Sequence, residues 1–454
     1  MEIKPFRAFR FNKAVVGDVC RCIAPPYDVI SPAQQDHLHK KSKYNIIRIT
    51  KGKTTPSDNT RNNPYTRAAK YLNNWLKKGA LKQDRTDAIY AYTQDFNLAG
   101  LRRAQSSRDE RRATSNERRI QRLSFIALAR LEEFTPAGPV RPHEHTLNSQ
   151  IIDRLNLKRA TAADFGLVSM LYEDRKKTTD KIIKSAAAQK PLIDCLDEQN
   201  VRHRLFAITD EDDINATVQT IRKNICIIAD GHHRYTTGLL YSRETDNPAA
   251  RFQMIAFTNI CQDGLLVLAT HRLVGSLGNF CVKKLIADLK KDFEVTRLPF
   301  DSPRTKLQAK QKMLALMKAG HKKDKNAFGI YAANSFYIAV LKNKRIMASA
   351  APDYSPAWRA LDVAVLHKLI LEKLLRIGEK QLDSDGGIEY IKDMENAIDE
   401  STEKVDKGQK QIAFFVNPTK IRQIQMVADA GERMPQKSTY FHPKLYSGLT
   451  INKL

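Results

Sequence analysis

The strongest chemical signal in the sequence is a polar run that follows a short apolar segment. Residues 227–237 read Ile-Ile-Ala-Asp-Gly-His-His-Arg-Tyr-Thr-Thr, which predicts a buried strand, a sharp turn at Gly231 and then a helix. The first turn of a helix carries unpaired N–H groups and a positive partial charge, so it suits a phosphate. Gly231 lets the backbone turn tightly and lets an anion approach closely. The residues expected to contact that phosphate are Gly231, His232, His233 and Arg234.

Asp230 stands directly before this turn. If its carboxylate capped the helix, it would compete with a phosphate for the same backbone amides. We therefore expect Asp230 to act in catalysis, either as a Mg²⁺ ligand or by orienting one of the neighbouring histidines. The competing interpretation is an ordinary Asp cap followed by surface histidines.

A second cluster, residues 140–146, reads Val-Arg-Pro-His-Glu-His-Thr. The proline favours extended geometry in the residue before it, so a strand end or a loop is predicted. In an extended chain His143 and His145 share one side and Glu144 faces the other. Glu144 could then take the proton from a hydroxyl as a general base. His143 and Thr146 are the substrate contacts predicted beside it, and a surface polar loop is the alternative.

A third cluster lies near the end of the chain, in residues 430–444. Lysine and hydroxyl side chains in it could hold a carboxylate or a phosphate of a substrate. The candidates are Lys437, Ser438, Thr439 and Lys444. A basic terminal loop explains the same residues equally well.

A fourth segment, residues 24–30, reads Ala-Pro-Pro-Tyr-Asp-Val-Ile and predicts a rigid turn that presents Tyr27 and Asp28 as supporting site residues. Ser31-Pro32 then begins a helix. Proline rigidity alone would also account for the pattern.

Short apolar runs alternate with amphipathic stretches along the whole chain, which predicts an α/β protein with mixed α+β sheets. Residues 44–50 are expected to form a strand, and residues 64–78 a helix. We place a domain boundary near residue 270. The first domain, 1–270, would carry the catalytic or nucleotide-binding function, and the second, 271–454, would contribute the substrate-side loop 431–444.

The charge balance favours anionic partners. The 454 residues include 76 Lys plus Arg against 50 Asp plus Glu, a net charge of +26, and such a field attracts nucleotides, nucleic acids and phosphorylated metabolites. Residues 101–122 hold eight arginines and three acidic residues, which predicts a basic loop able to bind nucleic acid. A solvated loop is the alternative.

Several classes of protein lack support. The sequence contains no P-loop, no GxGxxG and no GxSxG motif, and no apolar run long enough to cross a bilayer. The six cysteines show neither zinc-type spacing nor a disulfide framework. We expect a reduced, cytoplasmic protein without a membrane partner.

Four motifs in order resemble the bacterial and archaeal family called domain of unknown function 1015. They are Pro25–Ile30, Pro142–Thr146, Ala229–Arg234 and Gly431–Thr439. The family name carries no activity.

A more distant resemblance, on the His-Glu, Asp-Gly-His-His-Arg and Lys-Ser-Thr elements, is to the ADP-dependent free serine kinase of the ParB/sulfiredoxin-like fold group. It implies a nucleotide-binding core with a second α/β domain, ADP or ATP with Mg²⁺ as cofactors, and a small hydroxylated metabolite as acceptor. It also implies roles for residues: nucleotide phosphates on His232, His233 and Arg234, metal or phosphate organised by Asp230, proton removal by Glu144, and the acceptor on Lys437 and Thr439.

The sequence thus favours a nucleotide-dependent phosphotransferase. Two alternatives remain open at this point. One is a non-catalytic nucleotide-binding switch that binds nucleic acid through the basic loop, as ParB-type proteins do. The other is a metal-dependent hydrolase built on the paired histidines.

Overall fold

The computed structural model describes residues 1–97, 119–378, 387–394 and 396–454. Its strands are β1 Ile3–Lys4, β2 Phe9–Phe11, β3 Leu81–Gln83, β4 Ile89–Asn97, β5 Arg119–Arg130, β6 Val140–Pro142, β7 Ala163–Asp164, β8 Val168–Tyr172, β9 Ile193–Leu196, β10 Arg202–Ile208, β11 Cys226–Asp230, β12 Phe252–Asn259, β13 Leu266–Leu268, β14 Thr270–Val274, β15 Phe293–Pro299, β16 Ala327–Ala332, β17 Ser335–Leu341, β18 Ile388–Lys392, β19 Ile412–Phe415, β20 Tyr440–His442 and β21 Asn452–Lys453.

The α-helices are α1 Lys13–Val16, α2 Pro32–Lys41, α3 Ile47–Thr50, α4 Pro64–Lys77, α5 Asn148–Thr161, α6 Thr178–Ala187, α7 Glu211–Arg222, α8 His232–Glu244, α9 Val282–Asp292, α10 Pro303–Lys322, α11 Ile346–Ala350, α12 Pro356–Arg359, α13 Asp362–Val365, α14 Ala397–Asp406 and α15 Ile421–Asp429. A π-helix, Leu366–Glu372, continues α13, and short 3₁₀ turns occupy Val19–Arg21, Tyr27–Val29 and Pro248–Arg251. The α/β class with mixed sheets is confirmed.

The chain forms two compact units. The first contains residues 1–96, 119–266 and 443–454, and the second is built from residues 267–442. The last residues of the chain therefore fold with the first unit: β21 pairs with β7, and Ala24 pairs with Ser447. The loop predicted at 431–444 is divided between the units, and the functions assigned to the two domains remain predictions.

The first unit is organised by one large mixed sheet with the strand order β6-β11-β8-β12-β5-β4-β10-β9, and β1 pairs alongside β5. Two of its pairings are parallel, β6 with β11 and β8 with β12. Its apolar core includes Phe125, Phe257 and Tyr235, the last of these on α8. The sheet thus fixes the start of α8 relative to the end of β6.

The second unit contains an antiparallel sheet with the order β15-β17-β16-β19-β14-β18. Helix α10 packs on it so closely that a Cβ added at Gly329 would lie 2.6 Å from the Met313 sulfur. A side chain at this point of β16 would therefore force the side chains of Met313 and Met317 to shift.

Helix α4 shows how the local sequence sets the ends of an element. The Asn63 side chain accepts from the backbone N–H groups of Tyr65 and Thr66, and Pro64 occupies the first helical position. Trp75 lies on the buried face of the helix. The helix predicted at 64–78 is confirmed.

Two local predictions are wrong. Residues 44–50 do not form a strand; α3 begins at Ile47, and its backbone N–H groups close helical turns. Ile46, Ile47 and Ile49 are all buried. An apolar run this short fits a buried helix or a buried strand equally well, so tertiary packing determines which of the two forms. The predicted basic loop also ends early, because residues 119–122 belong to β5. The rest of that loop, through residue 118, lies outside the described residues.

The cysteine prediction is also corrected. Cys20 and Cys195 form a disulfide, with their Cα atoms 5.2 Å apart and a sequence separation of 175 positions. A pair so distant in sequence carries no spacing signal.

In the described parts of the chain, no helix combines the length and the apolar character needed to cross a membrane.

Replacing Cys20 by Ser should lower the free energy of unfolding by about 2–4 kcal/mol, because the cross-link restricts the unfolded chain. Thermal unfolding with and without a reductant measures this. The matched control is Cys281→Ser, which changes an exposed free cysteine. An equal loss in both variants, or no effect of the reductant on the wild type, would contradict the cross-link's role.

Candidate functional site

The parallel pairing of β6 with β11 brings two of the predicted motifs together. Ile228 lies opposite Pro142, so both strands end at the same edge of the sheet and their polar residues follow side by side. The backbone N–H of His143 donates to Nε2 of His232 at 3.2 Å. The motif at 140–146 is therefore tied directly to the first turn of α8.

A second histidine contact extends this tie. The backbone N–H of Leu147 donates to Nε2 of His233 at 2.9 Å, and Nδ1 of His143 donates to the carbonyl of Ile228. Because both α8 histidines accept at Nε2, that nitrogen cannot donate to a phosphate. Any phosphate contact from His232 or His233 must come from Nδ1 or from the backbone.

The turn itself has the geometry that the sequence predicts. Gly231 has φ +89° and occupies the N-cap position, and no side chain caps the helix. A Cβ at this position would lie 3.0 Å from Nε of Arg234. The left-handed conformation favours glycine here, and a side chain would also press against the Arg234 guanidinium.

Asp230 holds two cations and does not cap the helix. One carboxylate oxygen accepts from Nζ of Lys444 and the other from the Arg234 guanidinium, both at 2.8 Å. Burial alone would raise the pKa of Asp230, but the charges of Lys444 and Arg234 outweigh it and hold the pKa below its usual range. With each oxygen engaged by a cation, this carboxylate does not fit a direct Mg²⁺ ligand.

The position of Lys444 depends on residues that sequence reasoning missed. The buried Arg122 donates to the carbonyl of Pro443 and to the side-chain oxygen of Gln94, and Gln94 in turn donates to the carbonyl of Lys444 at 2.9 Å. Burial lowers the pKa of Arg122 to about 10, so its guanidinium remains charged at neutral pH. The sequence offered one sign that Arg122 is buried, namely the apolar strand residues that follow it.

Glu144 lies beside the buried His143, with 3.8 Å between Oε1 of Glu144 and Nε2 of His143, and about a quarter (26%) of the Glu144 side chain is exposed. Burial lowers the pKa of His143 and outweighs the opposing effect of Glu144, so the imidazole is neutral at neutral pH. His145 is exposed and Thr146 half-buried. The two histidines of this motif therefore occupy different environments, and a partly exposed carboxylate lies close to the start of α8.

The other predicted substrate residues belong to the second unit. The Ser438 hydroxyl donates to the carbonyl of Pro435, and the Ser438 carbonyl accepts from Thr419 at 2.8 Å. The buried Arg272 donates to the carbonyl of Lys437 at 3.0 Å. These contacts shape the loop around residues 437–439, and its substrate role remains a prediction.

Tyr27 lines a cavity in the first unit, which we call the Tyr27 pocket. Its lining includes Tyr27, Arg154, Asp164, Phe165, Arg234 and Ser447. The guanidinium carbon of Arg154 lies 4.0 Å from the centre of the Tyr27 ring. Asp28 is exposed and does not line this cavity. Arg234 thus belongs both to the pocket and to the Asp230 cluster.

The histidines do not assemble a metal centre within the described ranges. In residues 1–97, 119–378, 387–394 and 396–454, no group of three or more His, Cys, Asp or Glu side chains is placed to hold a metal ion.

A family model matches residues 3–107 and 110–364. The chain belongs to this family, described as Protein of unknown function (DUF1015). The resemblance to this family is thereby confirmed, and the match includes three of the four motifs, the one at 431–439 lying beyond it. No curated protein matches this DUF1015 protein.

Three solved structures are similar to the DUF1015 protein at a distance. A mutant free serine kinase in complex with ADP has a TM-score of 0.35 and 13% identity, covering 70% of this chain and 87% of its own. A conserved hypothetical protein from Pyrococcus furiosus has a TM-score of 0.32 and 13% identity, covering 70% and 92%. SbnI with C-terminal truncation from Staphylococcus aureus has a TM-score of 0.33 and 10% identity, covering 72% and 87%. Likeness at this level carries no argument about activity.

The neutral, buried state of His143 predicts a pH effect on stability. Below about pH 6.5 the unfolded chain takes up a proton on His143 that the folded chain refuses, so the wild type loses stability as pH falls. His143→Asn keeps a donor for Ile228 but cannot titrate. The stability advantage of the wild type over this variant should shrink by up to about 1.4 kcal/mol per pH unit below that point.

Denaturant unfolding of both proteins between pH 7.5 and 5 measures the difference. The comparison cancels the other histidines, since both chains contain them. A difference that stays constant over this range would contradict the neutral assignment.

Proposed function

We propose that this DUF1015 protein is a nucleotide-dependent phosphotransferase that acts on a small hydroxylated metabolite. The observation that carries the proposal is the tie between His143 and His232, which places a partly exposed carboxylate, Glu144, next to a helix start bearing Arg234. Phosphoryl transfer needs a positioned phosphate, a positioned hydroxyl and compensation of charge. Gly231 would position the phosphate, Glu144 would position the hydroxyl, and Arg234 would compensate the charge.

Donor phosphates would bind at Gly231. The uncapped helix start attracts an anion, and Arg234 adds a guanidinium whose Nε has no hydrogen-bond partner among the described residues. The cluster of Asp230, Arg234 and Lys444 carries a net charge of +1, which a phosphate would offset. Asp230 would serve by orienting the two cations, a role that its ion pairs with Arg234 and Lys444 support.

The proposed step is one displacement at phosphorus. The Glu144 carboxylate takes the proton of the acceptor hydroxyl, and the hydroxyl oxygen forms a bond to the terminal phosphorus of ADP or ATP. The bond from that phosphorus to its bridging oxygen breaks, and the electron pair leaves with AMP or ADP. Arg234 stabilises the negative charge of the phosphoryl group.

The nucleotide site can be tested by thermal shift. ADP or ATP, screened with and without Mg²⁺, should raise the unfolding midpoint of the wild type, because a ligand of the folded state stabilises it. Arg234→Lys keeps a positive charge for Asp230 but removes the planar set of donors, so we expect nucleotide affinity to fall about tenfold or more.

The control for this test is Arg243→Lys, on the same helix, whose guanidinium pairs with Glu133 in an exposed position. It should leave the shift unchanged. Absence of a shift with every nucleotide, or an equal loss in both variants, would count against the phosphate site.

Catalysis can be tested separately from binding. Glu144→Gln keeps the shape of the side chain but cannot accept the proton, so transfer from isotopically labelled ADP or ATP to hydroxyl metabolites should fall by about 10²–10⁴. The nucleotide-induced thermal shift should persist. His145→Gln changes the exposed neighbour and should retain transfer; an active Glu144→Gln, or a wild type inactive with every donor and acceptor, would refute the proposal.

A further inference from the structure

The Tyr27 pocket lies on one particular side of the phosphate turn. Arg234 follows His232 by two positions, about 200° around the helix axis. His232 holds the segment that carries Glu144, whereas Arg234 lines the pocket. His232, which accepts from the amide next to Glu144, and Arg234, which lines the pocket, therefore point to opposite sides of the first turn of α8.

This arrangement gives the transfer a direction. In phosphoryl transfer the attacking and leaving oxygens lie roughly in line through phosphorus. If the acceptor hydroxyl meets Glu144, the leaving nucleotide extends toward the Arg234 side. We propose that the Tyr27 pocket binds the nucleoside of the phosphate donor, an inference that rests on the proposed function.

The lining of the pocket suits a nucleoside. Tyr27 offers an aromatic ring backed by Arg154 at 4.0 Å, and Leu157, Ala163 and Phe165 add apolar surface. A nucleotide base can pack on such a surface.

Asp164 supplies an independent observation. It lines the pocket and is only 6% exposed. One of its oxygens accepts from Lys158 at 2.9 Å, while the other, Oδ2, has no hydrogen-bond partner among the described residues. A buried carboxylate oxygen without a partner is uncommon, and the hydroxyls of a ribose are donors of the kind it lacks.

The decisive experiment compares ADP with inorganic pyrophosphate by calorimetry. Tyr27→Leu and Asp164→Asn should each weaken ADP binding by about tenfold, while pyrophosphate binding stays within about twofold because the phosphate turn is untouched. The matched control is Tyr71→Leu, which removes a tyrosine that also lies near an arginine, Arg48, but outside the pocket. It should change neither affinity.

A measurement on the unsubstituted protein guards against misfolded variants. Photolabelling with 8-azido-ADP, followed by peptide mapping, should mark peptides that contain Tyr27 or residues 154–166. Labelling confined to other peptides would overturn the inference.

The remaining outcomes separate the two proposals. Pyrophosphate binding as tight as that of ADP would overturn the nucleoside site and leave the phosphate turn standing. A Tyr27→Leu variant that binds ADP normally but has a raised KM for the acceptor would also overturn the nucleoside site. The acceptor would then occupy the pocket. Failure of both ligands to bind the wild type would end the phosphotransferase proposal, and this inference with it.

Discussion

The pairing of two short parallel strands is the constraint on which the rest of the site depends. β6 and β11 end at the same edge of the sheet, and each is followed at once by polar residues. Parallel strands need a long connection between them, and here it contains α5, α6 and α7. The connection returns the chain so that the amides of His143 and Leu147 meet the two histidines of α8. Without that pairing, Glu144 would have no fixed relation to Gly231.

Charge pairing is the second constraint at this edge of the sheet, because Asp230 lies between the cations of Arg234 and Lys444. Asp230 sits between two cations, and removing a carboxylate from such a cluster leaves two like charges close together, which is strongly unfavourable at partly buried positions. The C-terminal segment that supplies Lys444 is itself held by Arg122 and Gln94. The site is therefore assembled from three distant parts of the chain.

Local signals in the sequence predicted the parts of the site that depend on local structure. The change from apolar residues to Asp230-Gly231 predicted a strand, a sharp turn and a helix, because glycine readily adopts the backbone conformations of tight turns. The relation of Lys444 to Asp230 could not be predicted: 214 residues separate them, and Lys444 is one of 76 basic residues. The link between Cys20 and Cys195 escaped for the same reason. At residues 44–50, by contrast, the signal was local but ambiguous, since buried isoleucines fit a helix or a strand.

The distribution of charge around the Tyr27 pocket bears on where an anion would bind in a protein with a net charge of +26. The pocket cations are matched with carboxylates: Arg154 with Asp153, Lys158 with Asp164, and Arg234 with Asp230. Paired charges within a cavity attract a free anion weakly. Only at Gly231 do a second cation, Lys444, and the positive end of α8 add to such a pair. Under the proposed function, the phosphates would therefore bind at the turn, and the pocket would recognise the less charged part of the same molecule.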